Sequence, residues 1–115
     1  MNRGDIYTAN LMPRSGSEQR GRRPVIIISH NAFNQTKNWR SIIIVPLSNS
    51  SAQAKRGLTA VFIPQNTANL QKDSIALCHQ VTTLDRSKLT NYIGTLPEEY
   101  LKQIEEGLKS AMDFS

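Results

Sequence analysis

The sequence predicts a mainly β fold, in which a small barrel of short strands is followed by one C-terminal α-helix. Short runs of β-branched or alternating apolar residues are separated by polar loops, and apolar residues recur at helical spacing near the C-terminus. Many short strands with polar connections favour a barrel over alternating βαβ units. A chain of 115 residues is long enough for one hydrophobic core and too short for two, so we expect a single domain over residues 1–115.

Two apolar patterns predict the strands. Alternation is typical of a half-buried strand, and a near-continuous β-branched run is typical of a central strand covered on both faces. The predicted strands are residues 5–12 and 74–81, which alternate, residues 25–29 and 41–47, which form near-continuous runs, and the shorter segments 59–63 and 92–94.

A helix is predicted to begin at residues 97–99. Pro97 suits the first turn of a helix, and Glu98 and Glu99 complement the helix dipole. The apolar residues that follow form one stripe, which we interpret as packing surface. The stripe consists of Tyr100, Leu101, Ile104, Leu108, Ala111 and Met112. Polar loops are expected over residues 30–40 and 48–57, and a short helical turn over residues 84–89.

The segment 16–24 joins the first two predicted strands and is strongly basic. Gly16 and Gly21 allow sharp turns, three arginines occupy residues 20–23, and Pro24 precedes the β-branched run. Arginine offers planar, permanently charged recognition of phosphate. The segment therefore indicates a site that binds a polyanion, with a solubilising surface loop as the alternative.

The charge of the whole chain points the same way. Fourteen basic residues against nine acidic ones give a formal net charge of +5. The first 23 residues contain five arginines but only two acids, Asp5 and Glu18. This balance favours nucleic acid, an acidic protein or an anionic surface as the partner.

Cysteine and histidine exclude several classes of protein. Cys78 is the single cysteine, so an intrachain disulfide is impossible and a reducing compartment fits. With only His30 and His79 beside it, no set of residues has the spacing of a structural zinc site. Residues 1–5 contain no apolar segment of the kind found in signal peptides, and no apolar run approaches membrane-spanning length. We therefore expect a soluble, cytoplasmic protein without a metal or a membrane partner.

Four sequence blocks resemble the MazF/PemK (Kid-like) toxins of bacterial toxin–antitoxin modules. The blocks occur in the order and spacing of that family and cover nearly the whole chain. They are Arg3-Gly4-Asp5-Ile6, Gly16-Ser17-Glu18-Gln19 with Gly21 and Arg23-Pro24, Val45-Pro46-Leu47-Ser48, and Asp73-Ser74 with Cys78-His79-Gln80-Val81 and Leu84-Asp85.

The resemblance implies a fold and an activity. The fold would be an SH3-like β-barrel that forms a homodimer. The activity would be an endoribonuclease that cuts single-stranded RNA without metal or cofactor. The partner would be an acidic cognate antitoxin whose tail occupies the RNA groove, and with which the toxin binds DNA.

Three residues are the predicted catalytic groups. The resemblance places the phosphate-gripping arginine of the family on Arg23 and its strand-end hydroxyl, often a threonine, on Ser48. His79 stands where an acid is common, and Ser17 stands where some members carry histidine. Metal-free cleavage uses the 2′-OH of the RNA as nucleophile and leaves 2′,3′-cyclic phosphate and 5′-OH ends. Arg23 would stabilise the phosphate charge, Ser48 would donate a hydrogen bond, and His79 would transfer a proton.

Each assignment has a structural alternative. His79 alternates in phase with apolar neighbours and could be a core or interface histidine, Arg23 could pair with Glu18, and Ser48 could cap a turn. Phe33 and Trp39 could stack bases or pack under their loop or against an antitoxin. The predicted RNA-binding residues are Ser17, Glu18, Gln19, Arg20, Arg22, Asn49, Lys55, Arg56 and Gln80.

Two other function classes compete with the nuclease. The first is a non-catalytic toxin resembling CcdB, which acts by binding gyrase. The chain ends Met112-Asp113-Phe114-Ser115 rather than with the Trp-Gly-X-Ile ending of that class, and it contains the Arg23-Pro24 segment that such chains lack. The second is a nucleic-acid-binding module without turnover.

Overall fold

The computed structural model describes residues 1–11, 16, 21–50 and 57–114. Seven antiparallel strands and a C-terminal helix dominate these residues. The strands are β1 (Asp5–Asn10), β2 (Arg22–Ile27), β3 (Ser41–Ser48), β4 (Ala60–Ile63), β5 (Ser74–Leu77), β6 (Thr82–Asp85) and β7 (Leu89–Thr95). The helices are α1 (Asn31–Asn34) and α2 (Glu98–Met112), and 3₁₀ turns lie at Thr67–Asn69, Cys78–Gln80 and Arg86–Lys88.

The strands form one sheet in the order β4-β5-β3-β2-β1-β7, and β6 also pairs with β3. Within the described part of the chain these pairings follow an open path, so β4 and β7 are its two ends. The prediction of a mainly β, barrel-like fold with a C-terminal helix is confirmed. The observed β2 begins at Arg22 rather than at the predicted Val25, so Arg23 belongs to a strand and not to a loop.

Strand β3 changes partner along its length. Residues 41–44 pair with β6, and residues 47 and 48 pair with β5. Pro46 lies between these segments, where a residue without a backbone N–H is tolerated. After Leu77, the last residue of β5, the chain forms the 3₁₀ turn Cys78–Gln80. The prediction of a strand continuing to Val81 was therefore wrong past Leu77, where the ladder on β3 passes from β5 to β6.

Two more predictions need correction. The predicted loop 30–40 contains the one-turn helix α1, which is capped because His30 Nδ1 accepts a hydrogen bond from the N–H of Ala32. The predicted helical turn at 84–89 is a strand up to Asp85, since β6 pairs with β3, and only Arg86–Lys88 turn. Asp85 caps that turn by accepting from the N–H of Ser87.

The central strands are covered on both faces over most of their length, although Ile43 of β3 is exposed. Alternate apolar residues of β2 and β3 belong to two different buried clusters, as the near-continuous apolar runs predict. One cluster packs beneath helix α2 and includes Ile6, Ile26, Val45, Leu47, Leu101 and Ile104. The other includes Ala9, Leu11, Val25, Ile27, Ile42, Ile44 and Leu84.

Helix α2 follows Pro97 and packs through the first part of its predicted stripe. Leu101 and Ile104 are buried, whereas Met112 is exposed. Gly107 is also buried, because the helix approaches Cys78 closely at that point. The stripe therefore acts as packing surface over its first turns and emerges into solvent at its end.

Candidate functional site

Arg23 lies near the start of β2, and Ser48 is the last residue of β3. The pairs of the β2–β3 ladder end at Val25 and Pro46, and Arg23 and Ser48 each lie two residues beyond that pair on their own strand. On the other side of β2, Arg23 pairs with Ala9 of β1. Two residues that are distant in the sequence therefore lie at the same end of the sheet.

Both residues line a cleft of about 380 Å³, which we call the Arg23 cleft. Its sheet wall is formed by the ends of β1, β2 and β3, and its loop wall is formed by Asn69–Lys72. Among the described lining residues two are basic, Arg23 and Lys72, and none is acidic. The lining residues are Thr8, Arg23, Pro24, Leu47, Ser48, Asn49, Asn69, Leu70, Gln71, Lys72, Ser74 and Ile93. The cleft is therefore chemically suited to an anion.

Ser48 is buried at the end of β3, and its hydroxyl oxygen accepts a hydrogen bond of 3.1 Å from the N–H of Ser50. The residue thus caps the turn that follows β3, as one of the sequence interpretations proposed. A serine hydroxyl has two acceptor lone pairs and one donor hydrogen. Capping uses one lone pair only, so the cap holds the oxygen in place and leaves the O–H for a ligand.

The turn that leads into the loop wall adopts an uncommon backbone conformation. Asn66, Ala68 and Asn69 have φ values of 74°, 51° and 64°, and a left-handed φ at a residue other than glycine is strained. The side chain of Asn69 donates to the carbonyl of Ile93 at 3.0 Å, and the N–H of Asn66 donates to the carbonyl of Leu70 at 2.8 Å. The first contact ties the wall to β7, and the second closes the turn within the loop.

His79 does not line the Arg23 cleft. It lies on the 3₁₀ turn Cys78–Gln80, and its side chain is exposed, so the interpretation as a core histidine was wrong. Its Nε2 is 3.5 Å from the Nε2 of Gln80. The turn follows β5 at the level of Val45 and Pro46 of β3. These two residues lie three and two positions before Ser48, which corresponds to roughly 7–10 Å along the strand. Proton transfer by His79 remains a prediction.

The other predicted RNA-binding residues divide into three groups. Asn49 is exposed and lines the Arg23 cleft, and Arg22 is exposed beside it at the start of β2. Gln80 lies with His79 on the 3₁₀ turn outside the cleft lining. The remaining predicted residues, Ser17, Glu18, Gln19, Arg20, Lys55 and Arg56, lie outside the described residues.

Sequence reasoning missed five polar residues of the cleft, namely Thr8, Asn69, Gln71, Lys72 and Ser74. Lys72 had a signal, because it directly precedes the Asp73-Ser74 block. Thr8 alternates along a predicted strand and gives no sign that it borders a cleft. Asn69 and Gln71 reach the site through the left-handed turn before them, which local sequence preferences do not predict.

The two aromatic residues of the segment after β2 form a stacked pair. The rings of Phe33 and Trp39 have centroids 4.6 Å apart and an interplanar angle of 27°, and each side chain is about two-fifths exposed. The guanidinium of Arg86 donates to the backbone carbonyls of both residues. The pair therefore packs on itself above a backbone held by Arg86, and it lies outside the cleft lining.

No cluster of three His, Cys, Asp or Glu side chains placed to hold a metal ion occurs within residues 1–11, 16, 21–50 and 57–114. None of the helices in the same part of the chain is long and apolar enough to cross a membrane.

Comparison with known proteins places the chain in a family. Residues 2–112 match the family described as PemK-like, MazF-like toxin of type II toxin–antitoxin system. The chain is 33% identical over 113 residues to endoribonuclease MazF2 of Mycobacterium bovis, which covers 98% of this chain and 97% of that protein. It is 35% identical over 108 residues to endoribonuclease MazF of Staphylococcus saprophyticus, which covers 94% and 88%.

Solved structures share the fold. MazF from Deinococcus radiodurans superposes with a TM-score of 0.80 at 23% identity, over 98% of this chain and 96% of that chain. A mycobacterial endoribonuclease in complex with its cognate antitoxin superposes with a TM-score of 0.80 at 20% identity, over 100% and 97%. The match along nearly the whole sequence and the shared fold agree with the four sequence blocks, and the chain belongs to the PemK-like, MazF-like toxin family of type II toxin–antitoxin systems.

Proposed function

We propose that this protein is the toxin of a type II toxin–antitoxin system and cuts single-stranded RNA without a metal ion. The observation that carries the proposal is the presence of Arg23 and Ser48 in one cleft, whose described lining contains no carboxylate. The endoribonuclease names of two relatives more than 30% identical to the chain support it.

The chemistry follows from what these side chains do to a bound phosphodiester. The 2′-oxygen attacks the adjacent phosphorus and loses its proton, and the bond from phosphorus to the 5′-oxygen breaks as that oxygen gains a proton. The products are a 2′,3′-cyclic phosphate and a 5′-OH. Arg23 stabilises the negative charge that builds on the non-bridging oxygens, and the O–H of Ser48 donates to one of them. His79 is the proposed proton-transfer residue.

We further propose that the single toxin domain works as a cytoplasmic homodimer. Within the described residues, large apolar side chains remain exposed on several elements, which isologous association would cover. Between 40% and 82% of each side chain is accessible at Phe33, Trp39, Ile43, Leu58, Phe62, Tyr92, Met112 and Phe114. Light scattering at micromolar concentration should give a dimer mass.

The proposed partner is an acidic antitoxin segment that folds into the basic cleft and competes with RNA by charge. Two observations support this: the cationic lining of the Arg23 cleft, and a structural neighbour that was solved with its cognate antitoxin. Competition should weaken as ionic strength rises, because both ligands are held by charge.

The test is a comparison of three labelled substrates of one sequence: single-stranded RNA, duplex RNA and single-stranded DNA. We expect the purified protein to cut the single-stranded RNA only. Binding without cutting would indicate a nucleic-acid-binding module instead. Inhibition of gyrase without any RNA cleavage would indicate a toxin of the CcdB type.

A further inference from the structure

The loop wall of the Arg23 cleft carries a second cation. Lys72 lines the same cleft as Arg23 but belongs to the segment between the turn Thr67–Asn69 and β5. Of the described lining residues, these two alone are charged. An extended polyanion that crosses the cleft therefore meets one positively charged residue on each wall.

The backbone around Lys72 is fixed by contacts on both sides. The buried Ser74 donates its hydroxyl hydrogen to the carbonyl of Lys72 at 3.0 Å. On the other side, Asn69 is anchored to the carbonyl of Ile93, and Leu70 is buried. Strained backbone conformations persist where the surroundings over-determine them, and they cluster at ligand-binding sites. The left-handed residues before Lys72 are such a case.

The neighbouring carboxylate is engaged elsewhere. Asp73 does not line the cleft, and its Oδ1 accepts a hydrogen bond of 2.8 Å from the N–H of Gln65. No carboxylate in the described lining therefore neutralises the exposed ammonium of Lys72. A lysine ammonium is a compact point charge that suits phosphate, whereas arginine supplies bidentate contacts.

We propose that Lys72 binds a phosphate of the RNA backbone next to the phosphate held by Arg23 and Ser48. This inference rests on the proposed function and adds a substrate-binding role for the loop wall. Lys72 is a substrate-binding residue and takes no part in bond breaking. It sets affinity and the position of the strand along the cleft, and its contact is independent of base sequence.

The test uses Lys72→Gln, with Lys102→Gln as the matched control. Both lysines are exposed and each substitution removes one positive charge, but Lys102 lies on α2 and does not line the cleft. Lys72→Gln should raise the KM for single-stranded RNA about tenfold and leave kcat within about twofold of wild type. Lys72→Arg keeps the charge and should restore most of the KM. Unchanged melting temperatures would show that each variant folds.

Salt dependence gives a second readout, with an uncut 2′-O-methyl oligonucleotide as the probe. The slope of log K against log salt should fall in magnitude by about 0.7 for Lys72→Gln, the value for one lost phosphate contact on a single strand. Lys102→Gln should keep the wild-type slope. A wild-type protein that cuts RNA, with both variants alike in KM and slope, would overturn this inference alone. A wild-type protein that neither binds nor cuts RNA would overturn the proposed function and this inference with it.

Discussion

Arg23 on β2 and Ser48 on β3 line the same cleft, although the segment that contains α1 separates their strands in the sequence. A guanidinium and a hydroxyl are thereby presented from rigid strands to one cleft. Sites built on strands hold their side chains more exactly than sites built on loops, and fixed donors stabilise developing charge without reorganisation. This shared cleft is the structural basis of the proposed cleavage.

The first prediction concerns the Ser48 hydroxyl. Ser48→Ala removes the donor, and kcat should fall by roughly tenfold to a hundredfold because one hydrogen bond to the transition state is lost. Ser48→Thr keeps the hydroxyl and should retain most of the wild-type rate. Single-turnover cleavage of a labelled RNA measures both. Equal rates for the alanine and threonine variants would show that Ser48 only caps its turn.

Gly94 on β7 leaves room for the loop wall. A Cβ at this position would lie 2.3 Å from the carbonyl oxygen of Ala68 and 2.7 Å from its carbonyl carbon. Gly94→Ala should therefore destabilise the fold by about 1–3 kcal/mol, as overpacking does, and displace the loop wall. Urea denaturation measures the loss, and Asn91→Ala, at an exposed position of the same strand, is the control. If Gly94→Ala were as stable as the control, the loop wall would move aside without a loss of folding free energy, and this prediction would be contradicted.

Gly107 permits the close approach of α2 to the buried Cys78. A Cβ there would lie 2.6 Å from Sγ, so Gly107→Ala should cost about 1–3 kcal/mol by overpacking. That loss exceeds the gain of up to about 1 kcal/mol from the better helix propensity of alanine. Cys78→Ala removes Sγ and with it the clash. In that background the loss of stability caused by Gly107→Ala should be smaller by about 1 kcal/mol or more. Strictly additive effects in this double-mutant cycle would contradict the packing argument.

The sequence predicts an element of this fold well where the element depends on neighbouring residues in the chain. It predicts an element poorly where that element depends on contacts across the fold. The apolar runs predicted that β2 and β3 exist, since the buried parts of both strands are apolar, but they missed Arg22, Arg23 and Pro24 at the start of β2. Pro97 and the glutamates predicted α2. The break between β5 and β6 could not be predicted, because it depends on both strands pairing with β3. The loop wall depends on Gly94 meeting Ala68 across the fold, and no pattern near residue 68 indicates a left-handed alanine.

His79 provides a test by pH. Its side chain is exposed, so His79→Ala should leave the melting temperature almost unchanged. As the proposed proton-transfer residue, it should make kcat depend on pH, and the variant should lose both rate and that dependence. Rates measured from pH 5 to 9 decide the point. A variant with the wild-type profile would remove His79 from the mechanism.

The most direct test of the central claim is cleavage of a long RNA in EDTA by wild-type protein and by Arg23→Ala, with the cut ends mapped. Wild-type protein should cut and leave 2′,3′-cyclic phosphate and 5′-OH ends. Arg23→Ala, checked for folding by its melting temperature, should cut about a hundredfold more slowly, which corresponds to the loss of about 3 kcal/mol of transition-state stabilisation. Cleavage by Arg23→Ala at the wild-type rate, or 5′-phosphate ends from the wild-type protein, would contradict the account.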